Sequence, residues 1–168
     1  MKKLILLFAI AIIALSAVSC GEKTESGSES TSAEPFKFSA NNVDIKFGEP
    51  SADMLSALGK EQKFFEAPTC AFEGGARDKK YSYGSFEITT YQDKKLVDRV
   101  LSAEIKDDSL STPEGITIGS TFEQVKTAYG TDFKQSTGFY TFTKGKTSLK
   151  ITIDNDTVTA INYLYDVL

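Results

Sequence analysis

The residue types that carry most protein chemistry are thinly spread along these 168 residues, and histidine is missing altogether. Its absence removes the commonest general base at neutral pH, the Ser-His and Cys-His nucleophile pairs, and nearly every protein zinc site. The dense acidic groupings are Asp154-Asn155-Asp156 and Asp107-Asp108. A calcium loop of EF-hand type needs oxygen ligands at alternate positions, Gly at the sixth and Glu at the twelfth. After Asp154 and Asp156 come Val158, Thr159 and Ile161 instead, so the segment reads as a turn and not as a metal site. Thr147 and Lys150 have the spacing of a hydroxyl–lysine pair, but three residues along a strand put them on opposite faces. Glu73-Gly74-Gly75-Ala76-Arg77-Asp78 holds a Gly pair without the helix that a phosphate-cradling loop requires. It reads as a hairpin loop. No spacing selects two carboxylates for acid–base work on a sugar. The expectation is a protein that is not an enzyme, with no catalytic residues, no metal and no cofactor.

The two cysteines differ in character. Cys70, in Pro68-Thr69-Cys70-Ala71-Phe72, reads as a small buried hydrophobe. Cys20 closes a different pattern. Lys2 and Lys3 precede an uninterrupted apolar run of 12 residues, Leu4 to Leu15. That is the h-region of an export signal, too short for the roughly 20 residues that a membrane-spanning helix needs. Ser16-Ala17-Val18-Ser19-Cys20 then resembles the lipobox cut by bacterial lipoprotein signal peptidase. The resemblance implies that residues 1–19 are removed and that Cys20 carries a diacylglycerol. The chain would then be anchored in the cell membrane, on its extracytoplasmic face, by acyl chains whose every buried CH₂ contributes about 0.8 kcal/mol. With Cys20 committed to lipid, Cys70 has no partner in the chain, so no disulfide framework is expected.

From Glu22 to about Ser39 the chain is rich in Ser, Thr, Glu and Gly. Such a stretch buries too little apolar surface to offset its ordering entropy and reads as a tether, residues 20–39. Loss of both signal lysines leaves 17 basic and 23 acidic residues, a net charge of −6. With no basic cluster longer than two lysines, nucleic acid is not an expected partner.

Two stretches share an outline. The segment from Phe47 to Gly59 aligns without gaps on that from Ile118 to Gly130, with Gly48/Gly119, Ala57/Ala128 and Gly59/Gly130 identical. In each, an apolar residue and a Gly turn lead into a short helix that a second Gly stops. Thr121 and Gln124 have capping-box spacing, and Ser51 is the expected cap of the first helix. Met54, Leu55 and Leu58 share one helix face, as do Phe122, Val125 and Tyr129. After each helix the period changes to 2, predicting antiparallel strands. These are Lys63–Ala67, Lys80–Tyr83, Ser85–Tyr91 and Val97–Lys106, then Gly138–Thr143, Ser148–Asp154 and Thr157–Tyr165. Lys144-Gly145-Lys146 and Asp154-Asn155-Asp156 read as hairpin turns. The fold class is α+β: two units, 40–110 and 111–168, each a short helix packed on antiparallel sheet.

This tandem pattern, with Glu114-Gly115-Ile116-Thr117-Ile118-Gly119 and Val125-x-x-x-Tyr129-Gly130, resembles small clostridial-type cell-surface lipoproteins with repeats like those of β-lactamase inhibitor protein. The resemblance implies two helix-on-sheet repeats over roughly Asn42 to Leu168. It carries over no binding residue.

Eighteen aromatic rings remain after the signal is removed; most of them are expected in the core, and a minority, Tyr91 among them, on a surface. If the two sheets lie side by side with both helices on one side, Phe86, Ile88, Leu149, Ile151 and Ile153 face the helices. The opposite phase, Glu87, Thr89, Tyr91, Lys150 and Thr152, then forms a broad exposed face suited to a protein or glycan partner. The reading is therefore a surface binding module; a structural or accessory role in cell-envelope assembly is the alternative.

Overall fold

The structure, a computed structural model, describes residues 34–68 and 77–167. The signal-like segment, Cys20, most of the tether and Cys70 lie outside them. The described fold is α+β, with two helices and one large antiparallel sheet. A hairpin of β1 (Phe38–Ala40) and β2 (Val43–Ile45) is followed by α1 (Ala52–Leu58). Four strands come next: β3 (Lys63–Pro68), β4 (Arg77–Ser82), β5 (Phe86–Gln92) and β6 (Asp98–Ile105). Then α2 (Phe122–Tyr129) precedes β7 (Lys134–Ser136), β8 (Phe139–Lys144), β9 (Thr147–Asp154) and β10 (Thr157–Tyr165). The eight strands after the hairpin form a single sheet in the order β3-β4-β5-β6-β10-β9-β8-β7. Two meanders thus meet at β6 and β10, where Ala103 pairs with Tyr163 and Glu104 with Asn162.

The chain enters both helices the same way. Gly48 N donates to Val100 O at 2.8 Å, and Val100 N donates to Glu49 O at 3.0 Å. Seventy-odd residues later, Gly119 N donates to Val158 O and Val158 N to Ser120 O, both at 2.8 Å. The next bonds match too, Ser51 N to Asp98 O and Phe122 N to Asp156 O. Just beyond each of these contacts the strand carries one extra residue, Leu101 in β6 and Thr159 in β10. A β-bulge of this kind bends its strand and sharpens the local twist.

The helix caps differ. Thr121 and Gln124 form the reciprocal capping box, with Thr121 N donating to Gln124 Oε1 at 2.8 Å and Gln124 N to Thr121 Oγ1 at 3.3 Å. Ser51 stands at the N-cap of α1, yet its hydroxyl donates to Asp98 O at 3.2 Å and caps nothing. The segment's pairing with β6 has claimed that side chain.

The core is one cluster on one side of the sheet. Phe86 and Ile88 from β5, Leu149 and Ile151 from β9, and Ile161 and Tyr163 from β10 are wholly buried beneath α1, α2 and the β1–β2 hairpin. Ile153, near the turn, is half-buried against them. Burying a side chain of this size contributes about 1.5–3 kcal/mol. Ala103, opposite Tyr163, leaves room above the sheet centre, and the rings of Phe38 and Phe47 both stack on Tyr163, at 5.2 and 5.8 Å between centroids.

The folded part begins earlier than residue 40. Phe36 and Phe38, assigned above to the tether, are 5% and 1% exposed, and Asn41 and Asn42 at φ 51° and 60° close a two-residue hairpin. Phe36, Phe38 and Ala40 alternate with Lys37 and Ser39, a period-2 pattern that the polar composition around it concealed.

Candidate functional site

The sheet face away from the helices is built by the alternate phase of the same strands. The register gives a continuous row across it: Lys63, Ser82, Glu87, Glu104, Asn162, Lys150, Thr141 and Lys134. A second row places Thr89 beside Ser102, Leu164 and Ser148. Thr152 lies between Phe139 and Ala160. Four of the five residues expected on this face, Glu87, Thr89, Lys150 and Thr152, are therefore placed on it together.

Their exposure differs from the expectation. All four are half-buried, and Tyr91 is 7% exposed. Tyr91 sits between Asp78 on β4 and Arg99 on β6 and is not part of the main apolar cluster. Burial, the largest effect on it, raises its phenol pKa above the usual value. Side chains in the centre of a broad sheet are shaded by neighbours on two sides, so polar character along a strand does not by itself bring exposure.

Charge is organised along the first row. Glu87 and Glu104 are directly opposite each other, an arrangement that is unfavourable unless neutralised. Lys80 Nζ meets Glu87 Oε1 at 2.8 Å, and Lys106 Nζ meets Glu104 Oε1 at 2.9 Å. The hydrogen bond from Lys106 to Glu104 is the main reason its ammonium pKa is raised. Next in the row, Asn162 Oδ1 is buried and has no hydrogen-bond partner among the described residues. Lys150 follows, its Nζ 3.8 Å from the centroid of the Phe139 ring, a contact in which the ring's electron-rich face attracts the cation. The centre of the face thus offers acceptors on one side, an amide in the middle and a cation on the other.

No protein-family model and no curated protein matches the chain. Two solved structures are similar to it in outline. One is an extracellular protein containing a SCP domain from Bacillus anthracis, 12% identical, with a TM-score of 0.43 over 77% of this chain and 48% of that one. The other is a DUF4309 family protein from Bacillus subtilis, 14% identical, with a TM-score of 0.42 over 75% of this chain and 84% of that one. The chain spans about half the length of the first.

The remaining candidates resolve into structure. Thr147 is buried on the helix side, accepting from Phe36 N at 2.8 Å and donating to Lys144 O at 2.8 Å, with Lys150 on the other face. Asn155 and Asp156, at φ 48° and 61°, form the turn between β9 and β10. Among the described residues no helix is long and apolar enough to cross a membrane. A cavity of about 550 Å³ opens beside the β1–β2 hairpin, lined by Phe36, Phe38, Ile45 and Phe47 with Lys46 and Glu49.

Sequence reasoning missed Glu104 and Asn162, the two residues at the centre of the row. Their strands were recognised, but the pairing of β6 with β10 joins Glu104 to Asn162, 58 positions on in the chain.

Proposed function

We propose that the chain is a lipid-anchored, extracytoplasmic binding module that is not an enzyme and holds a protein or glycan partner on its open sheet face. The observation that carries this reading is the row Glu87–Glu104–Asn162–Lys150. Four polar side chains stand shoulder to shoulder on adjoining strands, half-buried, with one amide oxygen that has no donor among the described residues. All the described helices lie on the other side of the sheet. Side chains held this way are ordered before any partner arrives, which lowers the entropy lost on association.

The finer architecture in this proposal is a tandem repeat of the β-lactamase-inhibitor-protein type. It is supported by the matched bonds of Gly48 and Gly119, by the bulges at Leu101 and Thr159, and by the antiparallel Glu104–Asn162 pair where the two meanders meet. Anchoring through Cys20 is supported by the signal-like segment and the Ser19-Cys20 junction.

The test is a pull-down from cell-surface extract with Gly21–Leu168 as bait, run beside Glu87→Lys with Lys150→Glu. The pair reverses the charge pattern on half-buried positions without emptying the core. A partner captured by the parent and lost by the double variant supports the face; a partner held equally by both removes it. Cys20→Ala should release the chain from membranes in high salt, where electrostatic adhesion is screened.

A further inference from the structure

The hairpin between β5 and β6 is fixed from within by one residue. Asp93 Oδ1 accepts from Lys95 N at 2.8 Å and Val97 N at 3.0 Å, and Asp93 Oδ2 accepts from Arg99 Nε at 2.7 Å. Its backbone adds bonds to Leu96 N and Val97 O. The hydrogen bond from Arg99 is the main cause holding the Asp93 carboxyl below its usual range, so its charge is already matched. What this frame presents outward is Lys94, Lys95, Leu96 and Val97. Leu96 is 59% exposed and Val97 37%, and neither lysine side chain has a partner among the described residues.

Leu96 also has φ +59°. The other described residues with positive φ, glycine aside, are Asn41, Asn42, Asn155 and Asp156, the types that tolerate this region. A leucine there gains nothing for the local fold, because it takes a strained conformation and leaves its side chain in water. Backbone strain of this kind persists where the surroundings over-determine it, which the Asp93 frame does.

We propose that the Asp93–Val97 hairpin is a membrane-docking tip, with Leu96 entering the interfacial region of an anionic bilayer while Lys94 and Lys95 contact its headgroups. An apolar side chain flanked by unpaired cations suits a surface that is apolar inside and negative outside. Lys94 and Lys95 are adjacent and exposed, a local positive charge on a chain that is net acidic without its signal. The proposal rests on the reading above only in that an anchored chain already lies beside a membrane; docking would then fix how the open face is presented.

The sequence has no tryptophan, so Leu96→Trp gives the full chain a single indole. The chain is reconstituted into vesicles of phosphatidylcholine alone, or of equal parts phosphatidylcholine and phosphatidylglycerol, with brominated acyl chains as quenchers. In the anionic vesicles the indole emission should shift to the blue and be quenched. Adding Lys94→Glu and Lys95→Glu should abolish most of that quenching, and an indole placed at Lys134 should show none. Val97→Trp serves as a second reporter should Leu96→Trp fail to fold. An indole left in water by anionic vesicles, or quenched equally with both lysines reversed, overturns the proposal. So does one that becomes buried only when cell-surface protein is added. Flotation of Cys20→Ala reports on the anchor separately: its failure appears as unchanged flotation, and failure of the tip as an unquenched indole.

Discussion

Gly48 lies against the ring of Tyr165, so close that a Cβ added to the glycine would fall upon the ring's Cζ. The contact ties the end of the last strand to the turn before α1, more than a hundred residues away in the chain. Gly119 makes the matching backbone bonds before α2, but open space surrounds the place of its missing Cβ.

The two glycines therefore separate backbone strain from packing. Both have positive φ, 78° and 95°, so alanine at either costs about 1–3 kcal/mol in strain. Gly48→Ala adds about 1–3 kcal/mol of overpacking against Tyr165. Chemical denaturation should show Gly48→Ala as the more damaging of the two, and Tyr165→Ala should recover part of the difference. Equal losses at both glycines would mean that Tyr165 moves aside freely.

Thr90 offers a gain. It is wholly buried on the helix side of β5, and its Oγ1 has no hydrogen-bond partner among the described residues. The matching place on β9, opposite Val158 as Thr90 is opposite Val100, holds Ile153. A buried hydroxyl without a partner is destabilising by about 1–3 kcal/mol relative to an apolar group of the same shape. Thr90→Val should raise the denaturation midpoint by the equivalent of about 1 kcal/mol, and a lowered midpoint would show that the hydroxyl is bonded in solution.

These paired positions also show what the sequence could reveal. Thr121 and Gln124, Gly59 and Gly130, and the Asn155-Asp156 turn each act through neighbours within a few residues, and each was legible. Phe86, Ile88, Leu149 and Ile151 were legible because a period of 2 assigns faces once strands exist. Tyr91 was not, because its burial depends on Asp78 and Arg99 brought alongside it by pairing. Strands β1, β2 and β7 have three residues each, too few to establish a period against a polar background. The row through Glu104 and Asn162 required the order of strands in the sheet, which no local pattern contains.

The outer edge of the sheet at β3 bears on handling of the protein. Phe64 and Phe65 are 49% and 62% exposed there, and no described strand pairs beyond them. The other edge, β7, is a short Lys-Gln-Ser segment. An edge strand with exposed apolar side chains templates pairing with other chains, and lysine on the edge opposes it. Phe65→Lys should lower concentration-dependent association of Gly21–Leu168, measured by light scattering, while stability changes by no more than about 0.5 kcal/mol. Association that persists unchanged would place the sticky surface elsewhere.

Tyr163 and Tyr129 should make stability fall steeply in alkali. Burial is the main cause that raises both phenol pKa values far above the ordinary one. Tyr129 donates to Glu114 Oε2 at 2.7 Å, and the Tyr163 hydroxyl is buried beside Tyr129 and Thr112. In the unfolded chain both phenols ionise near a pKa of about 10. Below that pH both states hold the protons and the fold keeps its full stability. Above it the unfolded state loses protons that the folded state retains, so unfolding becomes easier as pH rises. Each such group contributes a slope of about 1.4 kcal/mol per pH unit. A spectrophotometric titration should therefore show ordinary phenols ionising first, and these two ionising together with cooperative unfolding. Tyr163→Phe removes one of the two. It should reduce the alkaline slope by one proton. If Tyr163→Phe leaves that slope unchanged, the Tyr163 hydroxyl reaches water in the native protein.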